Sequence, residues 1–583
     1  MENFCLQYPL IAIHSFSLAF LISVPFSAWG QNAPSEFEPL RDLDRAIPRQ
    51  RQSLPVQPPT TRQKPKLQTP QNSTSLEGCQ ISTELNQPYS NYQDRFLVKD
   101  IQVTGSTVLQ PEIKKLIQNS QLKYRTATFA DLICLRSRIT ALYLQNGYVT
   151  SGAFLLNNQD LGQGIVQIQI VEGELEDIQI TGLKHLTDSY VRSRLNLATT
   201  TPLNQKSLET GLQLLILNPV IRTVNAELTA GKRAGSNVLL INIQEADAFS
   251  STFALNNYRA PSIGEIQGSV NLAHNNLLGF GDRFSAQYDF TEGLDLYNFS
   301  YTIPWNAYDG TFGFSYDNGD SEIIEARFRD LDIQSETETI SFNLRQPLLR
   351  SPNQEFNLSF GLDLHRRRTF LQGEPYDFSL GGQDGESKTT VLKFSQDWVN
   401  RNRNRVLAAR SQFNIGIDAF DATINNTEPD GRFFAWQGQF QWVQQLSARN
   451  LIVARVGGQF TPNPLLSLEQ FSQGGVNTVR GYQENQLITD SGILGSIEFR
   501  IPLTKNPNTL QLTPFFDFGT GWNNQEPESD PATLASLGLG LNCSIASQLS
   551  LNLDYGIPLI AVDDEGDSIQ ENGFHFSLSY QPF

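Results

Sequence analysis

Residues 434–442 read FAWQGQFQW, in which an aromatic residue or glycine alternates with a polar or small residue. A period of two is the pattern of a β-strand, whose successive side chains point to opposite faces. Large aromatics at every second position favour a strand with one face in lipid and the other in a polar lumen. This stretch therefore predicts one strand of a transmembrane β-barrel.

The same alternation recurs along residues 249–583. Further runs lie at 297–305, 356–364, 493–501, 549–555 and 574–580. Strand edges cannot face lipid unpaired, so such a series must close on itself. At roughly 20 residues per strand with its connection, the region holds on the order of 16 strands. We expect residues 249–583 to form an antiparallel outer-membrane β-barrel.

Composition narrows the class of protein. The 583 residues are 10% aromatic, and the mean hydropathy is −0.31. After the first 30 residues no apolar run is long enough for a membrane-spanning helix. The net charge of −17 argues against nucleic acid as the main partner. Composition alone leaves a large, soluble, acidic β protein as an alternative.

The first 30 residues are expected to be a signal peptide. Residues 10–24 are largely apolar, and small residues at 28 and 30 precede a cleavage point at Gln31. The segment lacks the usual Lys or Arg, so a buried apolar segment is the alternative. Residues 31–93 are rich in Pro and Gln and read as a linker, with a possible short helix at 35–46.

An internal repeat follows the linker. Residues 100–105 read DIQVTG and residues 177–182 read DIQITG, a spacing of 77 residues (177 − 100). Each copy alternates and stops at glycine, as a half-buried strand does before a turn. The element order β-α-α-β-β follows in both copies. We predict two mixed α/β modules, at residues 94–173 and 174–246.

The sequence carries no recognisable catalytic, cofactor or metal motif. The four cysteines form no CxxC pair, and the five histidines form no HExxH. There is no phosphate-binding GxxxxGK[ST] motif, and the GFGD at 279–282 sits between two predicted strands as a hairpin turn. We expect no enzyme activity, no cofactor and no metal.

The order of linker, two repeated modules and barrel resembles the two-partner-secretion transporters of the haemolysin secretion/activation family. These belong to the superfamily that also holds the bacterial barrel-assembly insertase, and their modules are POTRA domains. Three barrel motifs carry the resemblance: a VRGY loop tip at 479–482, an F-x-D-x-G strand at 515–519 and an S-x-E strand at 496–498. Two modules before the barrel is the transporter pattern.

The resemblance implies a long loop folded into the barrel, with the motif residues at its tip. The loop residues are Val479, Arg480, Gly481 and Tyr482, and the strand motif contributes Phe515, Asp517 and Gly519. Arg480 would pair with Asp517, and Glu498 is a neighbouring acidic candidate. Without the resemblance, an Arg480 on an external loop in water remains open.

The resemblance also implies a disulfide and an assembly signal. Cys79 and Cys134 sit where related transporters carry a cysteine pair. The C-terminal aromatic alternation is the expected barrel-assembly signal, at Phe574, Phe576, Leu578, Tyr580 and Phe583. Pro582 puts Phe583 out of phase with Tyr580.

The function implied is export of a large secreted protein, of haemolysin or adhesin type. The unfolded cargo would be caught by the modules in the periplasm and passed through the barrel in the outer membrane. Other expected partners are outer-membrane lipid and the barrel-assembly machinery. An insertase for other barrels remains an alternative, and a passive porin is a weaker one.

Overall fold

The computed structural model describes residues 66–68, 95–157, 159, 161–427, 429–507, 509–525, 531–562 and 568–582. The predicted signal peptide at 1–30, the possible helix at 35–46 and most of the predicted linker lie outside these residues. No helix among the described residues is long and apolar enough to cross a membrane.

The first described strand, β1 (Lys66–Gln68), joins the sheet of the second module. The first module follows. Its elements are β2 (Phe96–Val98), β3 (Asp100–Thr104), α1 (Gln110–Ser120), β4 (Arg125–Ala127), α2 (Phe129–Gln145), β5 (Gly152–Leu155) and β6 (Ile165–Val171). The sheet order is β3-β6-β5, with β6 parallel to β3 and antiparallel to β5. Helix α2 begins with a capping box between Thr128 and Asp131, which satisfies backbone N–H groups at its start.

The second module repeats this order. Its elements are β7 (Glu174–Thr181), α3 (Asp188–Asn196), α4 (Gln205–Leu217), β8 (Ile221–Ala230) and β9 (Ser236–Glu245). The sheet order is β1-β8-β9-β7, so β1 is added in parallel to the outer edge of β8. Leu67 of β1 packs against the apolar core of the module. The element order predicted for both modules is observed, with the extra β2–β4 pair in the first.

The glycine that ends each repeat motif has a steric reason. Gly105 and Gly182 both have positive φ, at 81° and 85°. A Cβ on Gly105 would lie 2.3 Å from the carbonyl oxygen of Ile170, and one on Gly182 would lie 2.2 Å from that of Ile243. The last strand of each module therefore passes too close for any other residue.

A second shared feature is a glutamate at the end of the last strand. Glu172 accepts hydrogen bonds from the backbone N–H groups of Thr107 (2.8 Å) and Val108 (3.2 Å). Glu245 accepts them from Lys184 (2.7 Å), from Leu186 (2.9 Å) and from the residue between them. Burial by itself would raise the pKa of Glu245, but these N–H groups outweigh it and lower that pKa. Each carboxylate ties the loop after the first strand to the end of the last.

The remaining strands run from the second module to residue 580. They are β10 (Phe249–Asn256), β11 (Gln267–Asn275), β12 (Arg283–Phe290), β13 (Leu294–Pro304), β14 (Thr311–Glu322), β15 (Ile333–Arg350), β16 (Gln354–Leu371), β17 (Glu374–Pro375), β18 (Glu386–Arg401), β19 (Arg405–Gly416), β20 (Phe434–Gln445), β21 (Leu451–Phe460), β22 (Phe471–Gln473), β23 (Leu487–Thr489), β24 (Ser491–Pro502), β25 (Leu510–Trp522), β26 (Thr533–Ala546), β27 (Leu549–Pro558) and β28 (Phe574–Tyr580).

Within the described part of the chain, sixteen of these strands close an antiparallel barrel. The short strands β17, β22 and β23 lie in connections, and β28 closes the barrel on β10. The alternation has the predicted meaning: Phe360 and Phe440 are exposed on the outer surface, while their neighbours Ser359 and Gln441 are buried. The predicted barrel of about 16 strands is confirmed.

The second module contacts the barrel turns on its own side. Thr187 donates its backbone N–H to the carbonyl of Gly279 at 2.9 Å. Arg194 Nε donates to Asp309 Oδ1 at 2.7 Å, and Arg350 pairs with the same carboxylate. The turns that hold Gly279 and Asp309 therefore lie at the end of the barrel that faces the modules.

Candidate functional site

The candidate site is the long loop between β21 and β24, residues 461–490, which folds into the barrel. Its tip is buried: Val479 is 0% exposed, Arg480 7% and Tyr482 1%. The tip packs against the inner wall formed by β24 to β28. Arg480 therefore lies inside the barrel and not on a hydrated outer loop.

Arg480 forms a bidentate ion pair with Asp517 on β25. Its Nε donates to Asp517 Oδ2 at 2.7 Å, and its Nη2 donates to Asp517 Oδ1 at 3.0 Å. The backbone N–H of Arg480 also donates to Oδ2 at 3.2 Å, and Ser496 Oγ donates to Oδ1 at 2.6 Å. The fork geometry fixes the direction of the loop tip as well as its charge.

Two further carboxylates face the same guanidinium. Arg480 Nη1 lies 3.4 Å from Glu498 Oε2 and 3.3 Å from Asp554 Oδ1. Sequence reasoning placed Glu498 here and missed Asp554, which lies on β27 outside the quoted motifs. Arg500 and Arg455 approach Glu498 at 2.7 Å and 3.8 Å. The cluster thus holds three arginines and three carboxylates, so its formal charges balance.

Phe515 and Tyr482 also hold the loop against the inner wall. The Arg480 guanidinium carbon lies 3.5 Å from the centre of the Phe515 ring, a cation–π contact. The hydroxyl of Tyr482 lies 2.8 Å from the carbonyl oxygen of Ala535 and 2.9 Å from that of Ile560. These contacts reach two strands of the wall, β25 and β26, and the loop that follows β27.

Two glycines permit this close approach. Gly481 has φ of 91°, and a Cβ there would lie 2.8 Å from the backbone of Gly556. A Cβ on Gly519 would lie 2.9 Å from Val479 Cγ2 and closer still to the side chain of Gln473. A larger residue at Gly481 or Gly519 would push the loop off the wall.

A polar cavity of about 970 Å³ lies beside the loop. One side is loop residues, including Glu469 and Asn477, and the other is the inner wall from β10 to β21. Lys393, Asp317 and Arg410 are among the charged groups of that wall. The loop therefore occupies one half of the lumen and leaves space along the other.

Two remaining predictions are only partly within the described residues. Cys134 is disulfide-bonded, whereas Cys79 lies outside the described residues, so their pairing stays a prediction. The C-terminal alternation forms β28, in which Phe574, Leu578 and Tyr580 are exposed on the outer face. Phe583 lies outside the described residues.

Comparison with known proteins identifies the family. The model for the haemolysin secretion/activation protein ShlB/FhaC/HecB matches residues 235–543, and the model for the ShlB-type POTRA domain matches residues 96–173. The heme/hemopexin transporter protein HuxB of Haemophilus influenzae is 26% identical over 539 residues, which cover 87% of this chain and 92% of the relative.

Solved structures show the same fold. CdiB from Escherichia coli superposes with a TM-score of 0.65 at 20% identity, covering 87% of this chain and 94% of that chain. BamA from Haemophilus ducreyi lacking POTRA domains 1–3 gives a TM-score of 0.53 at 15% identity, covering 83% and 100%. The predicted family, barrel and outer-membrane localisation are confirmed. Since the first family model spans more than half of the chain, this protein belongs to the haemolysin secretion/activation family of two-partner-secretion transporters of the outer membrane.

Proposed function

We propose that this chain exports one large secreted protein, with the two modules catching the unfolded cargo and the barrel passing it outward. The observation that carries the proposal is the inward loop: a buried, charge-balanced ion cluster holds it on one half of the lumen and leaves a polar cavity on the other. A passive porin needs no folded modules ahead of its barrel. The chain supplies binding and a path, with no covalent chemistry of its own.

The cargo is best described as a haemolysin or adhesin of β-helical type. The relatives bear names such as hemolysin transporter protein, which fits such a cargo. The decisive experiment is to co-express this chain with a candidate large secreted protein taken from the reading frame adjacent to its own. We expect the partner in the medium when the transporter is present and in the periplasm when it is absent.

The first module offers a free sheet edge for capture. In the second module the outer edge of β8 is taken by β1, whereas β5 pairs only with β6 among the described strands. An extended cargo segment can add to β5 as a further strand. Phe154, which is 53% exposed on β5, would supply an apolar contact for it.

This capture surface has a matched control. Phe154→Ser should weaken binding of an N-terminal cargo peptide about tenfold, because part of the burial of one phenylalanine is lost. Phe129 is also 53% exposed but lies on α2, so Phe129→Ser should leave binding within about twofold. Equal losses for both variants would place capture elsewhere.

We also propose that the barrel-assembly machinery inserts this chain into the membrane by acting on β28. The insertase alternative has one observation in its favour, the fold shared with BamA. Depleting this chain separates the two functions. Loss of the single partner from the medium with normal levels of other outer-membrane barrels supports export, and a general loss of barrels would overturn it.

A further inference from the structure

The seam between the first and last barrel strands is short. β10 and β28 pair over four residues, from Phe253 opposite Tyr580 to Asn256 opposite Ser577. The neighbouring ladders are longer, with eight pairs between β10 and β11 and seven between β27 and β28. β28 begins at Phe574, so its N-terminal end extends beyond the last residue of β10, Asn256, which pairs with Ser577.

A side-chain amide continues the ladder where β10 stops. Asn257 is 0% exposed. Its Nδ2 donates to the carbonyl of Phe574 at 2.8 Å, and its Oδ1 accepts the backbone N–H of Phe576 at 2.7 Å. The amide thus satisfies one acceptor and one donor on the edge of β28 that would otherwise be left unpaired by the end of β10.

A second buried amide joins this seam to the inward loop. Gln570, also 0% exposed, donates its Nε2 hydrogens to the carbonyls of Asn257 and Arg259. Its Oε1 accepts the backbone N–H of Glu484 at 2.8 Å, and Glu484 lies on the inward loop two residues beyond the VRGY tip. The backbone N–H of Gln570 is itself held by Glu265 at 3.2 Å. One side chain therefore bonds the loop on one side and the seam on the other.

We propose that Asn257 and Gln570 are positioning residues that couple the inward loop to the β10–β28 seam. When the loop leaves the wall, Gln570 loses its bond to Glu484, so its side chain is no longer fixed from the loop side and holds the two carbonyls beside the seam less firmly. Coupling between two sites is reciprocal, so loosening the seam also favours release of the loop. The inference rests on the proposed export function in one respect: export provides the reason for the loop to leave the wall.

Two substitutions test Gln570 and Asn257 separately. Gln570→Glu keeps an acceptor for the Glu484 N–H but replaces the donor with a carboxylate oxygen that faces two carbonyls. Asn257→Asp keeps the acceptor for Phe576 and loses the donor to Phe574. Asn572→Asp is the matched control, because Asn572 lies in the same loop as Gln570, is exposed and bonds only locally to Ser568.

The experiment measures channel opening of the purified full-length protein in planar lipid bilayers. We expect Gln570→Glu to raise the open fraction by about fivefold or more, within the usual range of coupling between sites. Asn257→Asp should act in the same direction, and Asn572→Asp should match the parent protein. If Gln570→Glu does not assemble as a barrel, Asn257→Asp carries the test.

A disulfide cross-link across the seam provides the decisive test. Leu255 and Leu578 are paired residues of the seam, so Leu255→Cys with Leu578→Cys can be joined by oxidation. Oxidation should return the open fraction of Gln570→Glu to the parent level, and reduction should restore the increase. Unchanged opening in Gln570→Glu and Asn257→Asp, or opening that ignores the cross-link, would overturn the coupling. None of these readouts uses cargo, so a failure of export alone leaves this result standing.

Discussion

Removal of the Arg480 side chain is the sharpest perturbation of the inward loop. Arg480→Ala deletes the bidentate pair with Asp517, the contacts to Glu498 and Asp554, and the cation–π contact with Phe515. The cluster then has one uncompensated negative charge. We expect the outer-membrane barrel to assemble at near-normal levels, because its strand ladders are untouched, and export to fall sharply.

The size of the effect depends on the hydrogen bonds that Asp517 retains after the substitution. After the substitution it retains the hydroxyl of Ser496 at 2.6 Å and the backbone N–H of residue 480 at 3.2 Å, so it is not left bare. Loss of a charged hydrogen-bond partner at a buried site costs about 1–3 kcal/mol. At about 2 kcal/mol the balance between inward and released loop shifts roughly 30-fold. Arg480→Lys should fall in between, since lysine keeps the charge but not the fork.

The assay is a double-mutant cycle on export, normalised to the amount of transporter in the outer membrane. Asp517→Ala should resemble Arg480→Ala, and the double variant should be little worse than either single one, because neighbours in one network are not additive. Arg327→Ala removes an exposed arginine that pairs with Glu325 at 3.1 Å, and it should export normally. Normal export by Arg480→Ala would refute a role for the pair, and strictly additive losses would refute the contact.

Three further predictions concern the modules. Thiol labelling of the unreduced, denatured protein should miss both Cys79 and Cys134, and labelling of either would count against their disulfide, whose loop closure is worth on the order of 4 kcal/mol. Residues 94–246 expressed alone should unfold cooperatively and bind an unfolded N-terminal piece of the cargo, whereas a fragment that never folds would refute those boundaries. In that fragment Glu245→Gln should lower the free energy of unfolding by about 1–3 kcal/mol at pH 7. Because the folded-state pKa of Glu245 is lowered, this difference is present above the unfolded pKa of about 4.3 and should disappear as the pH falls through the folded pKa, and urea titrations that show the same difference at pH 3 would contradict the assignment.

The sequence was informative where the determinant is local. Alternation with a period of two identifies barrel strands because each strand must show one face to lipid, whatever its partners are. The pairing of Arg480 with Asp517 followed from the family resemblance, which the short VRGY and F-x-D-x-G motifs carry. Asp554, 74 residues from Arg480, and the Asn257–Gln570 bond, which joins residues 313 apart, depend on how the barrel closes. No local pattern marks a residue whose role is set only by closure.

Closure also explains why the loop fastens where it does. Its bonds run from Glu498 on β24, through Asp517 and Asp554, to Gln570 beside the β10–β28 seam. The cavity lies against the opposite wall, from β10 to β21, where polar side chains face an open space. The loop is anchored on adjacent strands from β24 to the β10–β28 seam, which has the shortest ladder among the barrel strands described. It can therefore hold this part of the wall together while the cavity remains along the opposite wall. Release at Arg480 would then both widen the lumen and remove support from the seam, so the buried, charge-balanced anchor keeps the lumen narrow and the seam supported until cargo displaces the loop.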